Sequence, residues 1–563
     1  MPRAARLVWL DDAEARNAAL VGAKAARLAE ARRQGLPVLD GFVVPVAASA
    51  AAVGRGVAVL GSRHNSGAAR TAVFGHGAAS LAPELGSAAG KLGESLVVRS
   101  SSRAEAEGIW AGAFATYVGL RPDEVAVGVI GCWASIFNPE ALRRAEIAGM
   151  EPGDIGMGVL VQPELAPACG GTATVGETGK VTVVVTPGHP GAIRAGRQPG
   201  EVAVVAGDGT IQARDGSRWN SDLRRVALLA RQASERIGCR HIEWAKGWNG
   251  DIYLLQAQPA ARVREGADTP PAPRPLGEGD PYLRRLVRMM VRYPGPVGER
   301  WVWPWAIGMD LPDPIADESA SRAPAEIAAG LRRGTAALTA QRWSEIGSDA
   351  PLERAWSALG RGDPSSLLDL IQRSGPVDLA EAASQVRRLA ELAGSLTGTG
   401  VIPSPGWMWY LDPGTLDDPE RRPEGLSGRI GLSRWDPFVY SVAVSQGTSI
   451  SGRPAASGWG AGRLISVRTA DDAARLSPRS VIAARQPIGN LAPLLWNAAG
   501  LITSEGGPGA HLFEVAEWLG VPAVCGADIE AWAGAGSRCS GQGEDLVVAV
   551  DGDRGRVHAL PAS

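Results

Sequence analysis

Hydrophobic and polar positions repeat with different periods along the chain. In the first part, the run AALVGAKAARLAEARRQG has the apolar spacing of an amphipathic helix that Gly35 ends. Four apolar runs bounded by turn residues predict β-strands: SLVVRSS, MGVLVQPEL, KVTVVVTP and DIYLLQAQP. The pattern predicts mixed helices and strands over roughly the first 265 residues.

The pattern changes twice further along the chain. The middle part is mostly helical, with helical spacing in PAEIAAGLRRGTAALTAQRWSEIG and DLAEAASQVRRLAELAGSL. The last part alternates helical segments with the short runs RLISV, SVIAAR, GLITSE, PAVCG and EDLVVAVDG. That alternation is typical of an α/β layer fold.

Two stretches rich in Gly, Pro or Ser are predicted to be linkers, 267–281 and 445–462. They divide the chain into an N-terminal domain (1–266), a helix-rich middle domain (282–444) and a small α/β domain (463–563). A chain of 563 residues is too long for one hydrophobic core. We therefore expect an α/β and α+β multidomain protein.

Composition indicates which binding partners and which cellular compartment we expect. The formal charge is −2, from 57 basic and 59 acidic residues, so no basic field predicts binding to nucleic acid or to an anionic membrane. No signal-peptide apolar region and no membrane-length apolar run is recognisable. Five widely spaced cysteines without a CxxC favour reduced thiols. We expect a cytoplasmic protein.

His511 stands where a glycine-rich turn, EGGPGA, meets the helical run HLFEVAEWLG. Gly and Pro disfavour helix interior, so the imidazole falls in the first turn of the helix. There the free N–H groups and the helix dipole favour an anion. A neutral imidazole is also a competent nucleophile. These facts suit a phosphorylated histidine, although an ordinary surface or core histidine is the alternative.

Separated motifs agree with this interpretation. The segment AAGLITSEGGPGAHLFEVAEWLGVPAVCG resembles the phosphohistidine segment of the phosphoenolpyruvate synthase/pyruvate phosphate dikinase-like superfamily. The architecture most resembles that of rifampin phosphotransferase, which joins an ATP-grasp domain to a swivelling phosphohistidine domain. The resemblance implies that His511 carries the phosphoryl group. The domain would swing on 445–462, whose five glycines permit wide backbone rotation, unless that segment is a static surface loop.

Two N-terminal motifs resemble the ATP-binding elements of the superfamily. By resemblance, VGAKAARLAE assigns Lys24 to the ATP phosphates, and VVRSSSRAEAEGIWAGAF assigns Arg99 to the same task. A forked guanidinium suits phosphate. The alternatives are a solvated helix lysine and a structural ion pair.

The same resemblance implies an adenine hinge and metal ligands. In the motif HIEWAKGWNGDIYLLQAQPA, Glu243 and Gln256 would bind Mg²⁺ beside the nucleotide, unless they are ordinary residues on paired strands. The hinge would contact the base mainly through its backbone. Its residues are Gln162, Pro163, Glu164 and Leu165.

Several positions depart from the superfamily pattern. Gln258 and Glu140 stand where arginines are usual, and Gly191 replaces an acidic residue. Next to the histidine, Ala510 replaces Ser or Thr, and Glu517 replaces an arginine. Loss of cations around a polyphosphate costs transition-state stabilisation. The ATP site is therefore either retuned or weakened.

About 50 residues follow His511, which leaves no room for a pyruvate-binding barrel of about 250 residues. The middle domain is therefore where we expect the acceptor. Its tryptophans either line a pocket for a flat acceptor or fill the core: Trp301, Trp303, Trp305, Trp407 and Trp409. Candidate general bases there are Asp310, Asp313 and Asp412.

The predicted function is ATP-dependent phosphoryl transfer of the dikinase type. His511 would take the β-phosphoryl group of ATP and pass it to a small-molecule acceptor, with AMP and phosphate as products. Two alternatives stay open. One is a ligase that captures a phosphorylated intermediate with an amine, and the other is a degenerate nucleotide-binding phosphocarrier or regulator.

Overall fold

The computed structural model divides the chain into two compact units. The first comprises 1–265, 486–493 and 505–520, and the second comprises 266–485, 494–504 and 521–563. The structure describes residues 6–61, 65–76, 82–106, 108–176, 178–212, 219–259, 281–307, 309, 311, 322–344, 350–360, 363–414, 430, 433–469, 472, 476–529 and 546–560. The predicted mixed α/β multidomain organisation is confirmed. The domain boundaries stay a prediction.

Two antiparallel sheets form the framework of the first unit. Its strands are β1 (Val8–Trp9), β2 (Phe42–Val44), β3 (Leu96–Ser102), β4 (Thr116–Leu120), β5 (Met157–Pro163), β6 (Pro167–Val175), β7 (Val181–Pro187), β8 (Glu201–Val205), β9 (Ile211–Gln212), β10 (His241–Gly247) and β11 (Ile252–Gln258). One sheet has the order β1-β2-β5-β3-β4, and the other has the order β11-β10-β6-β7-β8-β9. The four strands predicted from sequence are β3, β5, β7 and β11, and all are confirmed.

Helices cover these sheets and bury their apolar faces. The helices of the first unit are α1 (Ala18–Val21), α2 (Ala23–Arg33), α3 (Val46–Leu60), α4 (Ser66–His76), α5 (Ala82–Gly90), α6 (Val125–Ala134), α7 (Pro139–Ile147), α8 (Gly191–Arg194), α9 (Asn220–Ile237) and, from the C-terminal part, α18 (His511–Leu519). In α9, Leu223, Val226 and Ala230 share one buried face, and Gly238 ends the helix in the left-handed conformation.

The amphipathic helix predicted near the N-terminus is divided into α1 and α2. Gly22 separates them with a φ of +81°, a conformation that glycine adopts without strain. A Cβ at this position would lie 1.7 Å from the carbonyl oxygen of Ser101. Close approach of β3 to the start of α2 therefore requires the break, which periodicity alone does not reveal.

The second unit combines helices with an eight-stranded sheet. Its helices are α10 (Pro281–Arg292), α11 (Gly295–Trp301), α12 (Trp303–Ala306), α13 (Pro324–Trp343), α14 (Ala350–Gly360), α15 (Ser365–Gln372), α16 (Leu379–Gly398) and α17 (Asp436–Gln446). Its strands are β12 (Thr448–Ser451), β13 (Arg453–Ala456), β14 (Trp459–Ser466), β15 (Val481–Ala484), β16 (Gly500–Thr503), β17 (Ala523–Cys525), β18 (Val547–Asp551) and β19 (Arg556–Leu560). The sheet order is β12-β19-β18-β14-β15-β16-β17-β13.

The prediction that 445–462 is a linker is wrong. The segment contains β12, β13 and the start of β14, all of which pair within the eight-stranded sheet. Its glycines serve close packing: a Cβ on Gly460 would lie 1.9 Å from the oxygen of Ala499, and one on Gly462 2.2 Å from that of Arg479. A glycine-rich composition is therefore compatible with a tightly packed strand. Apart from Pro281, the linker predicted at 267–281 lies outside the described residues.

Among the described residues, no single helix is both long and apolar enough to cross a membrane. The bent pair Val125–Phe137 and Pro139–Ile147 meets that criterion jointly, by length and composition only.

Candidate active site

The first unit contains a cavity with about 260 Å³ of space, lined by residues of both its sheets. The loops 108–112 and 189–195 contribute to its walls, together with His511. The predicted residues that line it are Lys24, Arg99, Gln162, Pro163, Leu165, Glu243, Gln256 and His511. Residues far apart in sequence thus meet at one site.

His511 is the first residue of α18, as the sequence predicts. The preceding turn needs glycine, because Gly506 has a φ of +88° and a Cβ on Gly507 would lie 2.0 Å from the oxygen of Pro199. Gly520 ends the helix in the left-handed conformation. These constraints fix where the imidazole stands on the cavity wall.

The loop 108–112 packs directly against α18. A Cβ on Gly108 would lie 1.8 Å from the indole of Trp518, and one on Gly112 would lie 2.9 Å from Cδ2 of His511. Gly112 also has a φ of +70°. The absence of side chains at these two positions is what lets the helix and its histidine approach the cavity.

Arg194, at the end of α8, joins His511 to the rest of the site. Its guanidinium contacts Nδ1 of His511 at 2.8 Å and Oε1 of Glu243 at 2.7 Å. It also pairs with both carboxylate oxygens of Glu514 and lies 3.3 Å from Nε2 of His241. Arg194 is only 4% exposed, so these contacts occur away from bulk solvent.

Glu514 lies one helical turn after His511, on the same face of α18. Its Oε2 is 3.3 Å from Nδ1 of His511, and its Oε1 is 3.0 Å from Nε2 of His241. The other nitrogen of His241 contacts Oγ1 of Thr174 at 2.8 Å. The buried carboxylate therefore has three polar partners, two histidines and Arg194.

The electrostatics of this cluster favour a neutral imidazole and ionised carboxylates. Burial, followed by the positive charge of Arg194, lowers the pKa of His511. Burial opposes ionisation of Glu514, but Arg194 and His241 outweigh it and hold its pKa well below the usual range. For Glu243, Arg194 and Arg99 likewise outweigh burial and lower the pKa. A neutral His511 has one unprotonated ring nitrogen, the form of the imidazole that nucleophilic attack requires.

Lys24 and Arg99 supply further positive charge to the cavity. Nζ of Lys24 donates to the oxygen of Ser100 at 2.8 Å and pairs with Glu105 at 3.1 Å. Arg99 donates to the oxygen of Leu255 at 2.5 Å. Lys24 is buried. The alternative to phosphate binding, a lysine solvated on a helix surface, therefore does not apply. The contact of Lys24 with ATP stays a prediction.

Glu243 and Gln256, the predicted metal ligands, face each other across β10 and β11. Their oxygens have the chemistry that Mg²⁺ prefers. However, Arg194 holds Oε1 of Glu243, and Arg99 donates to Oε1 of Gln256 at 3.2 Å. Both side chains are therefore engaged by arginines, and their binding of Mg²⁺ stays a prediction. Across the described ranges, no group of three or more His, Cys, Asp or Glu side chains is arranged to hold a metal.

The predicted adenine hinge runs from the end of β5 into the next loop. Nε2 of Gln162 donates to the oxygen of Leu39 at 3.0 Å, and Pro163 and Leu165 line the cavity. The Glu164 carboxylate accepts from Oγ of Ser95 at 2.5 Å. The side chains of Gln162 and Glu164 therefore bind this segment to Leu39 and Ser95, while its contact with a base stays a prediction.

The structure shows the surroundings of three positions that depart from the superfamily pattern. Gln258 lines the cavity, so the cation usual there is missing from its wall. Glu140 pairs with Arg144, whose guanidinium also donates to the carbonyl oxygens of Ile109 and Ala111. That pair therefore supports the loop 108–112. The N–H of Gly191 donates to Nδ1 of His189, which lines the cavity.

The tryptophans predicted for acceptor binding lie in the core of the second unit. Trp301, Trp303, Trp305 and Trp409 are buried, and Trp407 is half-buried. Burial of this kind is what we expect if these tryptophans fill the core, which was the alternative to acceptor binding. Binding of an acceptor by these rings stays a prediction. Asp412 bonds to the N–H of Gly414, and Asp310 and Asp313 lie outside the described residues.

Sequence reasoning missed four residues of the site: Arg194, Glu514, His241 and His189. The spacing of Glu514 and His511 on one helix was a usable signal. His241 is likewise two residues before Glu243 on one strand, and so lies on the same face. No comparable local signal marks Arg194, because its partners come from β10 and α18.

Two models of known families match parts of the chain. Residues 79–219 match the family "Pyruvate phosphate dikinase, AMP/ATP-binding domain", and residues 476–555 match "PEP-utilising enzyme, mobile domain". The first match contains Arg99 and Arg194, and the second contains His511. Both matches support the resemblance to the phosphoenolpyruvate synthase/pyruvate phosphate dikinase-like superfamily. These domains indicate an ATP-dependent phosphotransferase that works through a phosphohistidine domain.

The matching solved structures are too dissimilar to support an argument about this protein. Aconitase X from Thermococcus kodakaraensis is 17% identical, with a TM-score of 0.16, over 20% of this chain and 100% of that one. D-cycloserine synthetase DcsG is 16% identical, with a TM-score of 0.17, over 41% of this chain and 60% of that one. The comparison with curated proteins gave no match.

Proposed function

We propose that the protein is a dikinase-type phosphotransferase. It would take the β-phosphoryl group of ATP onto His511, release AMP and phosphate, and pass the phosphoryl group to a small-molecule acceptor. One observation carries the proposal: His511 stands at a helix start on the wall of a cavity that also contains Lys24 and Arg99. A nucleophile and phosphate-binding cations are the parts that phosphoryl transfer needs.

In this proposal, ATP occupies the cavity of an ATP-grasp-like domain (1–266). The base lies against the hinge Gln162–Leu165, and the phosphates lie near Lys24 and Arg99. Mg²⁺ stays an expectation from the superfamily, because Glu243 and Gln256 would first have to be released by their arginine partners.

The chemistry is a displacement at phosphorus. A nitrogen of His511 bonds to the β-phosphorus, and the bond from that phosphorus to the oxygen bridging the α-phosphate breaks. The electron pair leaves with AMP. Water then cleaves the bond between the β- and γ-phosphoryl groups and releases phosphate. The remaining phosphohistidine is the donor to the acceptor, for which we propose the middle domain (282–444).

A second candidate is a nucleotide-binding phosphocarrier or regulator without net turnover. The observation that favours it is the engagement of Glu243 and Gln256 by Arg194 and Arg99. Such a protein would bind ATP but form AMP no faster than the uncatalysed background.

Product stoichiometry separates these candidates. The protein is incubated with ATP and Mg²⁺ while a panel of small-molecule acceptors is screened for stimulated AMP release. We expect AMP and phosphate in equal amounts, no AMP from His511→Ala, and normal AMP from the control His558→Asn on β19. ADP as the nucleotide product would contradict the dikinase reaction. ATP binding without any AMP would favour the regulator.

The same assay tests carrier motion. We propose that the domain 463–563 swings between ATP and acceptor, although 445–462 is not the hinge. A disulfide between Gly108→Cys and Trp518→Cys would hold α18 against the loop 108–112, where these elements pack. The tether should preserve His511 phosphorylation and stop acceptor turnover until it is reduced. Full acceptor turnover by the oxidised protein would show that no swing is needed.

A further inference from the structure

Arg194 occupies an unusual position for a cavity-lining arginine. It is buried, it touches the nucleophile, and it holds the carboxylates of Glu243 and Glu514 on either side. Lys24 and Arg99 also line the cavity, but their hydrogen bonds go to the carbonyl oxygens of Ser100 and Leu255 rather than to His511. Arg194 is thus the cation placed between the phosphate-binding side of the cavity and the carrier histidine.

The contact of Arg194 with His511 determines which ring nitrogen carries the proton. A guanidinium only donates hydrogen bonds and is always charged. Its 2.8 Å contact therefore makes Nδ1 the acceptor, and a neutral ring then carries its proton on Nε2. Neither nitrogen can attack phosphorus in this arrangement, because one lone pair is bound and the other is protonated.

Two features show what would release the ring. Nε of Arg194 is buried and has no hydrogen-bond partner in the described part of the chain, so the guanidinium retains an unused donor. A phosphoryl oxygen is an acceptor that suits a forked guanidinium. Glu514 Oε2, at 3.3 Å, is also in place to accept a hydrogen bond from a protonated Nδ1 once Arg194 withdraws from that nitrogen.

We propose that Arg194 is a catalytic residue, which shifts from Nδ1 of His511 onto the oxygens of the phosphoryl group being transferred, and that Glu514 is the positioning residue that takes over Nδ1. This role rests on the proposed function of His511. It makes phosphate binding and activation of the nucleophile one event, because the same guanidinium serves both.

The proton and electron balance of the step is simple. The proton on Nε2 passes to solvent, and Nδ1 takes a proton from solvent, keeps it, and donates a hydrogen bond to the ionised carboxylate of Glu514. Nε2 then forms the bond to phosphorus, and the electron pair of the broken P–O bond leaves with the nucleotide. The ring becomes positively charged as the bond forms, and the ionised Glu514 stabilises that charge. Arg194 stabilises the negative charge on the phosphoryl oxygens.

The test compares Arg194→Met with a matched control, Arg231→Gln. Arg231 is another arginine of the first unit, and it donates to the carbonyl oxygens of Val205 and Ala206. It does not line the cavity. Two quantities are measured on the full chain: the rate at which ATP labelled at the β-phosphate labels His511, and the tautomer of His511 by ¹⁵N NMR. Spectra of His511→Ala identify its signals among the six histidines.

We expect wild-type His511 to carry its proton on Nε2 in the absence of nucleotide. In Arg194→Met the proton should move to Nδ1, facing Glu514, and labelling should slow by about 100-fold or more, as for loss of other transition-state donors. Arg231→Gln should change neither quantity. Labelling of Arg194→Met at the wild-type rate, or an unchanged tautomer, would overturn the proposal.

Two further outcomes keep the test decisive. If Arg194→Met does not fold, Arg194→Lys retains the charge without the fork, and wild-type labelling by that variant would overturn the role of the guanidinium. If wild-type protein is never labelled, the proposed function itself fails. Label on wild type and on Arg194→Met alike would remove only the role of Arg194.

Discussion

At the scale of single residues, the site depends on one imidazole held between opposite charges. His511 lies beside Arg194, Glu514 and, through Arg194, Glu243. Burial and Arg194 together disfavour a proton on this ring, while the two carboxylates favour one. The net effect is a lowered pKa, so the imidazole is neutral where an ordinary histidine begins to be protonated.

This predicts the pH dependence of phosphorylation. Attack needs the neutral ring, which predominates above its pKa, so the labelling rate should fall only as pH drops through the lowered value. Single-turnover labelling of His511, quenched in alkali, should stay level well below the ordinary histidine pKa of about 6.5. A half-maximal rate at or above about 6.5 would contradict the lowered pKa.

Local pattern and resemblance were enough to select several of the cavity residues from the sequence. His511, Lys24, Arg99, Glu243 and Gln256 all line one cavity, and their roles there stay predictions. The arginine that connects them could not be predicted. Its partners lie about 50 and 320 residues further along the chain, and only the folded sheet and α18 bring them together.

At the scale of elements, glycines decide how closely segments approach. Gly22 lets β3 meet the start of α2, Gly112 admits His511, and Gly460 lets two strands pack. Periodicity located nine of the nineteen described strands and the two longest helices, α13 and α16, because burial on one face leaves a repeating pattern. It failed at 445–462, because small residues required by close packing have the same composition as a flexible linker.

The contact between the loop 108–112 and α18 gives a prediction with an internal control. Gly112→Ala and Gly149→Ala both place a side chain at positive φ, +70° and +63°. Each should cost about 1–2 kcal/mol of folding free energy. Only at position 112 would the new Cβ meet His511, at 2.9 Å from Cδ2, whereas nothing lies within 4 Å at 149.

Thermal unfolding and His511 labelling are measured on both variants. Gly112→Ala should lose labelling beyond what its stability explains, and Gly149→Ala should keep it. Equal labelling by the two variants would mean that the approach of Gly112 to the imidazole has no part in phosphorylation.

At the scale of the whole molecule, residues 505–520 belong to the same compact unit as residues 1–265. The histidine of the mobile-domain match therefore shares a unit with the residues matched to the AMP/ATP-binding domain. This is the arrangement in which a carrier would be loaded from ATP. Delivery to an acceptor requires the same histidine to reach a second site, which is why one covalent carrier can separate the two half-reactions.

The most direct test of the account is to locate the phosphoryl group on the protein. Wild-type protein is incubated with ATP and Mg²⁺, digested under alkaline conditions and analysed by mass spectrometry. The account predicts one acid-labile, alkali-stable phosphoryl group on the peptide containing His511, and none on His511→Ala. A phosphoryl group that persists in His511→Ala, or that maps to His189 or His241 in the wild type, would contradict it.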